Sequence, residues 1–451
     1  MSSTTSQEQY YSWNRSDYGN SEHAGRMNRG TLLLLACPFA IITRQTLLLR
    51  QHATTVDLSA VDTFAGIDIA IVLTTALVLL LSGAFARTLS SLSRTSAIWL
   101  LGYYLFCAAS SAWSAASVYT LYRSFEYIVL FLAVFGVVVQ LRDFENGERW
   151  FLYAAMTTLF LQMFGNLLLM HFSFSLSAWH TNSYSAAAGI IFCYCLGEYL
   201  SMNRSQRSEQ KKRARRLKFF GAFSLCALAL GTSAASNVAA AAGCLVIFLS
   251  LRKLSIFAAG LFAALVAFCL ASALGGGGEI VRAILFPGKS QAAIETATGR
   301  TMLWQMLWRK FLDSPYIGYG FGVISGGRDR AFVALSHNSL FTVLIGTGIV
   351  GLFLFLIFAL SLWRSAIAGT WRRGRGTVGF TGALAASFLN SLGMPLMADR
   401  WWTTSIVFVW LIALFLLYVR GANRPPVEAR EEFEAGPHAA AHVGCSAGPS
   451  E

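Results

Sequence analysis

Apolar runs recur along almost the whole chain, Ile69–Leu81, Ala222–Leu230 and Ile349–Leu362 among them, with short polar stretches between. The hydrocarbon core of a bilayer takes roughly 20 mostly apolar residues per helix. Only 13% of the 451 residues are charged, about half the share found in soluble domains. The pattern specifies an all-α polytopic membrane protein and excludes an ordinary soluble enzyme. Twelve transmembrane helices fit the runs: about 31–49, 66–85, 96–112, 124–141, 150–171, 183–201, 218–232, 236–251, 254–274, 338–362, 377–394 and 403–419.

The net charge of +13 is divided by side. The two tails and alternate loops (86–95, 142–149, 202–217, 252–253 and 363–376), with Lys218 and Arg364 at their edges, hold 24 of the 35 Lys and Arg. Basic residues mark the cytoplasmic face, so both termini are expected there. The basic segment "NRSQRSEQKKRARRLK" (203–218) reads as a topology anchor against anionic lipid rather than a nucleic-acid site. Residues 1–30 and 420–451 are polar and read as disordered cytoplasmic tails around one membrane domain, 31–419. Seven of the eight cysteines fall inside spans, where small apolar packing accounts for them, so no disulfide framework is implied.

One segment breaks this economy: residues 275–337, a large loop on the exoplasmic side. Within it, "TGRTMLWQMLWRKFLDSPYIGYGFG" (298–322) places Trp304, Leu307, Trp308 and Phe311 at helical spacing. Thr298 caps that helix in prospect and Pro315 closes it; its amphipathic face suits the headgroup layer. The glycines of "GYGFG" then supply a tight turn. In "ALSHNSLFTVLIGTGIVGL", Ser336 is the expected N-cap of a helix that starts at His337 and becomes the tenth span. A helix N-terminus favours an anion, so His337 and Asn338 are candidates to line an exoplasmic anion site. Gly346 and Gly351 read as helix-packing positions.

The order Thr-Gly-Arg, Trp, Ser-Pro, Gly-rich turn, His-Asn and downstream Gly over residues 298–352 resembles the O-antigen ligase and polysaccharide polymerase superfamily. "SSAWSAASVYTLYRSFEY" (110–127) is similar to a shorter external segment of such proteins. The resemblance implies a glycosyltransferase of the bacterial inner membrane that uses a polyprenyl-diphosphate-linked glycan donor, with neither metal nor cofactor. It implies an acceptor glycan or glycolipid, and other polysaccharide-assembly proteins as neighbours. It puts Arg300 and His337 in the catalytic roles. Arginine binds phosphate oxygens bidentately and stays charged; His337 either activates the acceptor hydroxyl or donates to the diphosphate. Read alone, Arg300 is equally a solvated charge and His337 an interfacial cap.

Asn338, Arg123, Arg328 and Arg330 are further candidate substrate contacts, with an Arg123–Glu126 ion pair as the plainer account of Arg123. Ligases of the superfamily carry a second arginine after a serine at the outer end of a middle span. The corresponding "LGTSAASNVAAAAG" (230–243) has no basic residue, leaving Ser233 as a neutral phosphate contact. That departure favours a polymerase over a ligase, or another arginine, Arg123 first, in place of the missing one. A transporter or flippase for a lipid-linked glycan or other anion is the rival reading, although no internal repeat marks the two halves.

Overall fold

The computed structural model describes residues 29–47, 63–141, 144–169, 181–202, 210–231, 233–253, 300–323, 338–373, 377–394, 396 and 403–421, with isolated positions between 255 and 266. Among them every regular element is helical. These are α1 (Arg29–Leu47), α2 (Thr63–Leu81), α3 (Ala84–Leu92), α4 (Ala97–Ala109), α5 (Ser117–Leu141), α6 (Phe144–Leu169) and α7 (Thr181–Ser201). There follow α8 (Lys211–Gly231), α9 (Ala234–Ser250), α10 (Arg300–Asp313), α11 (Ser339–Arg373), α12 (Val378–Ser391) and α13 (Thr403–Gly421). Helices occupy eleven of the twelve expected intervals; the remaining one, 254–274, lies mostly outside the described residues.

The fold is that of a helical membrane protein. Among the described residues two helices, α5 and α11, are each long and apolar enough to cross a bilayer; α2 and α3, bent by 86° at a break that holds Gly83, are so only if taken together. Helices apolar on every side belong inside a bundle, and two occupy that position here. The side chains of α13 are buried without interruption from Thr404 to Leu416, and those of α5 from Val129 to Val138. Helices α1, α2, α3, α4 and α6 pack on α5, while α7, α8, α9 and α12 form a second group that meets α13. That second group closes through glycines. A Cβ on Gly197 of α7 would stand 2.5 Å from Gly379 Cα of α12, and one on Gly243 of α9 would stand 2.7 Å from the Gly382 carbonyl oxygen. Small residues let helices approach where lipid offers no hydrophobic drive between them.

The basic segment is only partly a loop. Helix α8 begins at Lys211, so half of the expected loop is helical, and Arg213 turns into the bundle. Its Nε donates to Glu148 Oε2 (2.7 Å), and its Nη2 to Glu148 Oε1 (2.6 Å) and Glu198 Oε2 (2.8 Å). The Tyr194 hydroxyl donates to the same Glu148 carboxylate (2.6 Å). This pins α6, α7 and α8 together at one end of the bundle, with Glu148 wholly buried. Removing the cation strands two buried carboxylates, so Arg213→Ala is expected to destabilise by about 3–5 kcal/mol. The thermal midpoint of purified protein in nanodiscs checks this, and Arg213→Lys should lose less.

Candidate active site

Thirty-five residues of α11 would run about 52 Å as one straight helix, against a hydrocarbon core of about 30 Å. The helix is in fact broken. Gly348 takes φ 64° and ψ −163°, a backbone region essentially reserved for glycine. A break leaves carbonyls and amides without helical partners, and in a membrane protein they need new ones.

The glycine loop supplies them. Tyr319 N–H donates to the Ile345 carbonyl (2.9 Å) and Gly320 N–H to the Gly346 carbonyl (2.8 Å). In return, Ile349 N–H donates to the Pro315 carbonyl (2.8 Å) and Val350 N–H to that of Tyr316 (3.2 Å). Gly318, Gly320 and Gly322 all have positive φ. A Cβ on Gly318 would stand 2.6 Å from the Ile345 oxygen, and one on Gly348 would overlap the Tyr316 carbonyl. The loop's other side seats on the α4–α5 connection. Ser110 Oγ accepts from Phe321 N–H (2.9 Å), Thr120 Oγ1 donates to the Phe321 carbonyl (2.9 Å), and Trp113 Nε1 donates to the Ile317 carbonyl (3.2 Å).

Helix α10 lies against the stretch of α11 ahead of the break. Trp304 stacks on Phe341 with ring centroids 5.9 Å apart; further along both, Pro315 meets Ile349. The two segments therefore run parallel. Leu307, Phe311, Val323 and Ile345 form a small core of their own between them, apart from the main one. The expected amphipathic face of α10 thus covers protein, and Trp308, at 48% exposure, points away from it. Because the pair is parallel, Arg300 at the start of α10 and Asn338 at the start of α11 share one end.

Asn338 is the cap of α11. It is buried, and its Oδ1 accepts from Leu340 N–H (2.8 Å) and Phe341 N–H (3.3 Å). Ser336, expected in that role, lies outside the described residues, as do His337, Arg328 and Arg330. Arg300 is the first residue of α10, and its side chain is likewise outside the described set.

Arg123 stands beside the loop: a Cβ on Gly322 would come within 3.8 Å of its Cγ. Its Nη1 bonds Glu126 Oε2 (2.6 Å) and lies 3.9 Å from Asp68 Oδ2. Asp68 Oδ1 holds Arg44 Nε at 3.1 Å. The anticipated ion pair is thus one edge of a network across α1, α2 and α5. Asp68 and Arg44 were legible only as ionisable residues in apolar runs, which is itself a functional signal in membrane segments. Ser233 is buried at the start of α9; the Ser236 hydroxyl lies 3.2 Å from its Oγ and 3.4 Å from Asn390 Oδ1. These form a second polar group between α9 and α12.

The fold and site define a membrane protein whose paired helices α10 and α11 are clamped by a glycine loop next to a buried ion network. Residues 219–356 match the family model described as O-antigen ligase, a match that supports a place in the O-antigen ligase and polysaccharide polymerase superfamily. The match supports a membrane enzyme of surface-polysaccharide synthesis, acting on lipid-linked glycan and acceptor substrates. No curated protein matches the chain.

The break makes a contrast between neighbouring glycines. Gly348→Ala is expected to cost about 1–3 kcal/mol from backbone strain alone and to loosen the loop. Gly346→Ala meets only Gly320 O and Phe321 Cα at 3.6 Å and should be tolerated. Thermal midpoints and protease cleavage near Tyr316 compare the two.

Proposed function

We propose that the protein is a multi-pass glycosyltransferase of the bacterial inner membrane, with twelve spans and both termini in the cytoplasm. On this reading the glycine-loop end faces the periplasm. The enzyme transfers a polyprenyl-diphosphate-linked glycan onto an acceptor sugar and extends a surface polysaccharide as a polymerase.

The observation that carries this reading is the parallel packing of α10 on α11, with Trp304 stacked on Phe341. Each of these rings lies one turn after a candidate reacting residue, Arg300 and His337 respectively. The packing thereby supports Arg300 and His337 acting on one substrate. An acceptor hydroxyl attacks the anomeric carbon; the carbon–oxygen bond to the diphosphate breaks, and polyprenyl diphosphate leaves with the electron pair. Arg300 stabilises the charge gathering on the leaving group, where fixed cations act strongly because water is scarce. His337 takes the hydroxyl proton. Arg328, Arg330 and Arg123 supply further charge around the diphosphate, with Ser233 and Asn338 as neutral contacts. The missing arginine in residues 230–243 favours polymerisation over ligation to a lipid core. The transporter reading asks for broken helices at the membrane midplane. The break in α11 instead lies level with Trp113–Thr120, at the end of the α4–α5 hairpin.

The test compares surface and lipid-linked glycans in cells making wild-type protein or His337→Ala at matched membrane abundance. Single-unit glycans at the mutant surface are the expected result. Long chains stranded on the polyprenyl carrier would make the protein a ligase, and identical profiles would remove His337 from the chemistry.

A further inference from the structure

The ion network at the glycine-loop end joins two carboxylates and two guanidiniums. On the side chains, Asp68 and Glu126 are 10% and 2% exposed, and Arg44 and Arg123 are 18% and 21% exposed. The four formal charges cancel, which offsets the cost of burying them together. Hydrogen bonding, however, is incomplete. Arg123 Nε and the Tyr122 hydroxyl are both buried with no partner among the described residues. Buried donors of this kind ordinarily have an acceptor. The Tyr119 and Tyr122 rings flank the Arg123 guanidinium, 5.3 and 5.6 Å from its central carbon, and fix its plane. Gly322 of the loop borders the Tyr119 ring and the aliphatic stem of Arg123.

Among the described residues Asp68 touches both arginines, through different oxygens: Oδ1 to Arg44 and Oδ2 to Arg123. Two guanidiniums on separate helices would otherwise repel and splay. Bridged by one carboxylate, they form a single two-cation face, with Arg123 Nε and the Tyr122 hydroxyl beside it as unpartnered donors among the described residues, suited to an oxyanion with several oxygens. We propose that Asp68 is a positioning residue that holds Arg44 and Arg123 together, and that Arg44 is a further contact for the donor's diphosphate. This rests on the glycosyl-transfer reading and adds α1 and α2 to its substrate site.

The experiment uses the full chain in nanodiscs with inorganic pyrophosphate as the probe, alongside transfer kinetics with a lipid-linked donor. Wild type should bind pyrophosphate. Arg44→Ala, Arg123→Ala and Asp68→Asn should each weaken that binding about tenfold or more, the loss of one charge-assisted contact. Asp68→Asn should raise KM for the donor more than it lowers kcat, and Asp68→Glu should recover pyrophosphate binding. Pyrophosphate affinity unchanged by Arg44→Ala and Asp68→Asn overturns the inference and leaves the transfer reading intact. So does Asp68→Glu restoring the thermal midpoint without restoring binding, which would make Asp68 a structural tie only. Transfer by a wild type that does not bind pyrophosphate overturns it as well. A wild type inactive on every lipid-linked glycan instead removes the transfer reading, a result read independently of the binding assay.

Discussion

The organisation of this protein depends on how one interrupted helix is repaired. Breaking α11 at Gly348 opens backbone groups that lipid cannot satisfy. Residues 315–320 answer with two N–H donors and two carbonyl acceptors. Because those four bonds come from consecutive stretches of two segments, they fix register as well as proximity. Helix α10 is carried into place by the same loop, and its small core with α11 follows. The α4–α5 connection then holds the loop from its other side through Ser110, Trp113 and Thr120.

The two ends of the bundle use charge differently. Around Arg213, one cation serves two carboxylates and a tyrosine hydroxyl, and the arrangement ties α6, α7 and α8. Around Asp68, that carboxylate bridges two cations, Glu126 holds one of them as well, and Arg123 Nε and the Tyr122 hydroxyl have no partner among the described residues. A network in which Arg213 Nε and Nη2 both meet carboxylates suits a fixed joint. An open one suits a place where a second anion arrives.

Much of the fold was legible because membrane helices announce themselves by composition: where a span was expected, a helix lies within the described residues at nearly every position. The break was not legible. The sequence shows Gly346, Gly348 and Gly351 alike as small residues in an apolar run, and only Gly348 needs a glycine-specific backbone. That need arises from Pro315 and Tyr316, more than thirty residues earlier. For the same reason Asn338 read as a ligand contact, with the cap expected at Ser336, and the headgroup-facing stripe of α10 turned out to cover α11. Arg123 and Glu126 were visible as a pair because they are three apart. Their extension to Asp68 and Arg44 joins three helices, which no local spacing reveals.

Docking through main-chain groups has a consequence for how such a protein diversifies. The loop is held by amides and carbonyls that every residue type possesses, apart from the few positions that must be glycine. The outward face of α10, with Gln305, Arg309 and Asp313 exposed, can therefore change its chemistry without shifting the frame that carries it. A lineage built on this scaffold can rewrite that face while its hinge stays put.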